Sequence, residues 1–139
     1  MIGTTERETL AALADVIVPS AEGMPAASAA GVHGRWIDAA LEARPDFVEP
    51  LTRILQRAAG HEPEPFLTAL ERDDPAAFDV LTVAVGGAYY MNPEIWGLLG
   101  YTGQQAKTID IFELPAYLEE GLLDHVVERG PIYRPTPTT

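Results

Sequence analysis

The chain has 139 residues, with 21 acidic against nine basic side chains and a net charge of −12. One lysine, Lys107, and eight scattered arginines cannot build the cationic patch that nucleic acid or an anionic membrane surface requires. The absence of cysteine excludes disulfides, thiol nucleophiles, thiolate metal sites and cysteine-ligated iron–sulfur clusters.

The length fits one domain with its own core. Hydropathy has no strand-like alternation, and helical spacings run through the whole chain, so the expected fold class is all-α. A compact bundle of about five to seven helices is expected over residues 1–130, with an extended tail over 131–139.

The first helix is predicted over residues 5–18. Thr5 and Glu8 have capping-box spacing, and Leu10, Leu13, Ala14 and Ile17 share a face. Pro19 ends it, and a loop rich in Ala, Gly and Pro leads into a second helix carrying Val32, Trp36, Ile37, Ala40 and Leu41. Asp46, with Glu49 three residues on, is the expected cap of a third helix. Its stripe is Phe47, Leu51, Ile54, Leu55 and Ala58, and Gly60 is its stop. A short fourth helix over 64–72 turns Phe66, Leu67 and Leu70 inward.

Asp74 followed by Pro75 marks the start of a fifth helix over 75–90. It is apolar nearly all round, the pattern of a central buried helix. Gly86 and Gly87 sit in its middle, each costing about 1 kcal/mol against alanine. Close approach of a neighbouring backbone, or a kink, is the expected return. Asn92 and Pro93 repeat the start signal for a short helix ending at Gly100. Residues 101–115 are irregular, with Asp110 and Glu113 flanking Ile111 and Phe112. A last helix over 116–129 carries Leu118, Leu122, Val126 and Val127, and Gly130 and Pro131 stop it.

The longest apolar run, about nine residues at 83–91, is far short of the roughly 20 that a membrane span needs. The first charges, Glu6, Arg7 and Glu8, and Asp15 within the apolar segment, do not make a secretory signal. The expected location is cytoplasmic, or periplasmic if a signal has been removed.

Chemistry is sparse. His33, His61 and His125 include no pair three or four apart, so no helical metal face forms and no metal site is expected. Asp73–Asp74 reads as a helix start rather than a catalytic pair. Ser20 and Ser28 lie in no Gly-x-Ser-x-Gly elbow, and no strand precedes a glycine-rich phosphate loop. No catalytic or cofactor-binding residue is assigned. The most unusual segment is 89–103, with Tyr89, Tyr90, Trp96 and Tyr101 inside 13 residues. Tyrosine and tryptophan pair apolar area with a polar tip, which suits interfaces and half-buried positions alike. Core and rim of a small domain, a partner interface and a small-molecule pocket are the three readings of this cluster. Ile132 and Tyr133 could anchor the tail to another surface, or the tail is disordered.

Two segments resemble a known family. Ile17, Val18 and Pro19 ending a helix, then Ala30, Gly31 and Val32 stepping into another, resemble the opening of the gluconate 2-dehydrogenase subunit 3 family. Residues 88–105, with Tyr89–Tyr90, a Pro93-started short helix and Gly100-Tyr101-Thr102-Gly103, are similar to its second signature. The resemblance implies a small cofactor-free subunit. The flavin, FAD, sits in a large GMC-type dehydrogenase subunit that oxidises a sugar or polyol, and some complexes add a cytochrome subunit. The small subunit binds the large one, assists its maturation and often brings the export signal. This sequence departs from the pattern in having no twin-arginine signal ahead of Leu10. On this reading the partner-interface residues are Tyr89, Tyr90, Trp96, Tyr101, Ile132 and Tyr133. The alternatives are a helical small-ligand-binding module and a small acid/base enzyme using surface carboxylates.

Overall fold

A computed structural model describes residues 2–106 and 120–132. The described residues are all-α, with seven α-helices and no strand. Packing divides the chain into two units, Met1–Gly103 and Gln104–Thr139.

The first unit holds six helices: α1 (Thr4–Ile17), α2 (Ile37–Ala43), α3 (Val48–Ala58), α4 (Pro63–Asp73), α5 (Pro75–Tyr90) and α6 (Pro93–Leu98). A π-turn over Val32–Trp36 leads into α2, and a 3-10 turn over Pro45–Phe47 leads into α3. Helix α5 touches α1, α2, α3, α4, α6 and the π-turn, so it is the axis of the unit. Its Leu81 and Val85 are fully buried among Leu10 of α1, Ile37 of α2 and Leu51 and Leu55 of α3. Burying each such side chain is worth about 1.5–3 kcal/mol.

The helix ends show which start signals work. Asp74 caps α5, its carboxylate accepting the Ala77 N–H at 3.2 Å, and Pro75 follows without loss because a first-turn N–H has no helical partner. Asn92 caps α6 by accepting the Glu94 N–H at 2.9 Å. Two expected caps are wrong. Helix α1 starts one residue earlier than expected: Gly3 precedes it, and the Glu6 carboxylate, not Glu8, accepts the Gly3 N–H at 2.7 Å. Asp46 does not cap α3. Its carboxylate is taken by Arg44, with contacts of 2.9 and 2.7 Å, so a 3-10 turn replaces the cap.

The loop over 19–31 is ordered by side chains from elsewhere. Asp15 of α1 accepts the Ser28 N–H at 2.7 Å and the Ser28 hydroxyl at 2.6 Å. Gly31 closes the loop at φ 74°, a left-handed conformation that only glycine adopts without cost. Arg7 holds the π-turn: its guanidinium donates to the His33 and Gly34 carbonyls at 2.8 and 3.0 Å and pairs with Asp38 at 2.7 Å. It thereby supplies donors to two carbonyls of a turn whose backbone leaves helical geometry at Gly34.

Helix α5 departs from its reading as buried all round. Val83, Gly87 and Tyr90 are exposed along one stripe. Gly86 and Gly87 receive no close neighbour: no described atom beyond the helix's own backbone lies within 4 Å of where a Cβ would stand. The helix also runs unbroken through both.

The second unit contributes α7 (Asp124–Arg129) after a turn at 120–123. Residues 120–123, expected inside a helix over 116–129, form a turn instead, and Leu122, Val126 and Val127 are exposed. Leu118, Asp110, Glu113, Ile111, Phe112 and the tail beyond Ile132 lie outside the described residues. Among the described residues no helix is long and apolar enough to cross a membrane.

Candidate functional site

The aromatic segment follows from where α5 stops. Helix α5 ends at Tyr90, Met91 turns, and the Asn92 cap launches α6 in a new direction. Among the described residues Asn92 is the one buried polar or charged residue outside the hydrophobic set. Its Nδ2 donates to the Ala30 carbonyl at 3.0 Å while its Oδ1 caps α6. That double use fixes the angle of α6. The sequence marks Asn92 as a cap and gives no sign of the tie to Ala30, 62 residues away.

The four clustered aromatics have different fates. Tyr89 is 2 % exposed and belongs to the core. Its hydroxyl donates to the Pro25 carbonyl at 2.8 Å, and burial, with the Tyr90 phenol beside it, pushes its pKa above the usual tyrosine range. Tyr90, stacked edge-on against Tyr89 at 5.4 Å, is 59 % exposed. Trp96 is 37 % and Tyr101 53 % exposed. Their rings meet edge to face at 5.8 Å, the Trp96 Nε1–H donates to the Tyr90 carbonyl, and the Tyr101 N–H donates to the Trp96 carbonyl at 2.8 Å. The three outer rings are therefore held in place with their faces and edges partly in water.

Sequence reasoning missed three members of this surface. Val83, Leu98 and Leu99 are all exposed. Helix α6 buries only Ile95, and both leucines at its end stay outside the core. For Val83 the signal was Asp79, one turn earlier on the same face. In the second unit Ile132 is exposed, and Tyr133 lies outside the described residues.

The electrostatics are one-sided. Residues 73–106 contain Asp73, Asp74, Asp79 and Glu94 and no Lys, Arg or His. Asp73 pairs with Arg72, which holds its carboxyl below the usual aspartate range. Asp74 is a cap that also faces Arg57 at 3.4 Å, so Asp79 and Glu94 are the carboxylates left on this side. Glu94 stands alone as a carboxylate in 89–103, and the segment offers no acid–base pair. Among the described residues no three potential metal ligands gather.

The depressions are shallow. One of about 570 Å³ lies open between the turn at 20–25 and Leu98. Another, of about 370 Å³, runs between α3 and α5 past Arg53, Arg57 and Asp74. Neither gathers a set of convergent catalytic groups. What the aromatic edge can do chemically is bury apolar area against another surface and offer phenol and indole tips at its rim. No protein-family model, curated protein or solved structure matches this chain.

Proposed function

We propose that this chain is a non-catalytic accessory subunit that binds, stabilises and helps to mature the large FAD-containing subunit of a GMC-type sugar or polyol dehydrogenase. The two segments resembling gluconate 2-dehydrogenase subunit 3 motivate the identity of the partner. The observation that carries the role is the exposed edge of Tyr90, Trp96, Leu98, Leu99 and Tyr101, in which the Trp96 indole is tied to the Tyr90 carbonyl and packs against the Tyr101 ring. A small domain that spends hydrogen bonds on fixing large apolar side chains in water has those side chains ready to bind at low entropic cost. Binding the folded flavoprotein and not its unfolded chain stabilises it by about 2.7 kcal/mol at one hundred times the dissociation constant.

Co-expression with the flavoprotein encoded beside this chain tests the reading. The two co-elute, with FAD absorbance, in one peak. Trp96→Ala and Tyr101→Ala each weaken the complex by about 2 kcal/mol, roughly 30-fold, and move the free chain's melting temperature little because both rings are partly in water. Loss of the free chain's fold in either variant would make these residues core. Sugar oxidation or bound flavin in the purified chain alone, or no flavoprotein reading frame beside this one, overturns the proposal.

A further inference from the structure

Helix α5 presents an open stripe running from Asp79 through Val83, Gly86 and Gly87 to Tyr90. These positions follow the three- and four-residue steps of one helix face. Two glycines in mid-helix oppose folding, and no described neighbour approaches them. Among the described residues their cost has no return. From outside, they form a flat strip where a second helix can reach the α5 backbone, with Val83 and Tyr90 standing at either end as apolar walls.

The charge around the strip says what lies there. Asp79 stands at its start and Glu94 follows at the head of α6, residues 73–106 hold no cation, and the two arginines of α3 that line the groove beside Ala76 and Val80 are paired, Arg53 with Glu49 and Arg57 with Asp74. A second copy of this chain would bring the same carboxylates against themselves, and each copy carries −12 overall. The complementary surface is apolar along its centre and basic along its flanks.

We infer that the open face of α5 seats one amphipathic helix of the partner protein, lying against Gly86 and Gly87, with aliphatic side chains against Val83 and Tyr90 and Lys or Arg opposite Asp79 and Glu94. The inference rests on the accessory-subunit reading for which protein carries the helix, and on the face itself for the chemistry of that helix.

The test uses the full chain and a labelled 20-residue helical peptide with an Ala/Leu stripe flanked by lysines, read by fluorescence anisotropy. A peptide with glutamates in place of the lysines is the control. The lysine peptide binds, weakens with salt, and the glutamate peptide does not bind. Gly87→Leu lowers affinity at least tenfold; leucine is a good helix former pointing into open space, and circular dichroism verifies the fold. Asp79→Asn with Glu94→Gln weakens binding and flattens the salt dependence, whereas Glu42→Gln with Glu62→Gln, carboxylates on α2 and ahead of α4, changes neither. Equal binding by Gly87→Leu, or equal losses from both carboxylate pairs, overturns the inference. So does a lone chain that runs as a dimer and is dispersed by Gly87→Leu, which would make a second copy the occupant. The chain has no cysteine, so Val83→Cys gives a single labelling site. Slow maleimide labelling of that variant as a free monomer would show the face already covered and also overturns it.

The peptide assay contains no flavoprotein. If the flavoprotein binds and Gly87→Leu leaves that complex intact, this face is wrong and the accessory reading stands. If no flavoprotein binds while the lysine peptide seats on the face, the accessory reading falls and the face stands.

Discussion

Replacing Gly86 and Gly87 together by alanine should make the free protein more stable. In the middle of a helix glycine is about 1 kcal/mol worse than alanine, because the unfolded glycine chain has more freedom to lose. A gain of that size survives only where the new methyl has room. Both positions have it: no described atom outside the helix backbone stands within 4 Å of either Cβ. Adjacent helix residues point about 100° apart, so the two methyls do not meet. The gains therefore add to about 2 kcal/mol. At about 4 °C for each kcal/mol in a domain of this size, the melting temperature rises by about 8 °C. Urea titration followed by far-ultraviolet circular dichroism gives the free-energy change directly, with an unchanged m-value showing that the unfolded state has not altered. A double variant no more stable than the parent, or less stable, would refute the reasoning. It would mean that α5 is met at this strip by a neighbour within the free chain, or that the helix bends there.

Asn92→Ala removes the α6 cap and leaves the Ala30 carbonyl without its donor. A lost cap costs about 1 kcal/mol and an orphaned buried acceptor about 1–3 kcal/mol, so denaturant unfolding should show a loss of about 2–4 kcal/mol. Glu6 is held below its ordinary value of 4.5 by the Gly3 N–H and the Gln56 amide. Its contribution is complete above that pH and is lost as the pH falls through the lower folded value. Stability against pH between about 5 and 2 should therefore fall less steeply in Glu6→Gln than in the parent. Tyr89 behaves in the opposite sense, since its phenol is raised by burial. Above about pH 10 an unfolded tyrosine loses its proton while the folded one keeps it, so stability falls as the pH rises. Tyr89→Phe should remove that part of the alkaline slope, at a cost near neutrality of about 1 kcal/mol for the Pro25 hydrogen bond.

The helices were legible where local chemistry decides them. Asp74–Pro75 and Asn92–Pro93 mark the starts of α5 and α6 because a short polar acceptor followed by proline satisfies the first turn without outside help. The errors fall where a second partner competes. Asp46 has cap spacing, but Arg44 two residues away binds its carboxylate more strongly than a backbone N–H would. In the aromatic segment the sequence locates four rings, but not which are buried. Tyr89 and Tyr90 are neighbours of the same type, and a helix necessarily turns them to different sides. The phase of α5 makes Tyr89 the inner one, one turn past the buried Val85, and its hydroxyl then meets the loop carbonyl at Pro25. The open strip on α5 was hidden by a composition that reads as core. Mean hydropathy cannot separate a face covered by its own fold from a face left in water.

Tyr89 and Asn92 spend their polar ends on the carbonyls of Pro25 and Ala30, 64 and 62 residues upstream. A ribosome releases those early carbonyls well before the residues that will tether them. Until then the Ala- and Gly-rich stretch after α1 has only local ties, Ser28 on Asp15 and backbone turns such as the Ala27 N–H on the Val18 carbonyl. Its two long-range tethers, at Pro25 and Ala30, form only once the last turn of α5 and the Asn92 cap are in place.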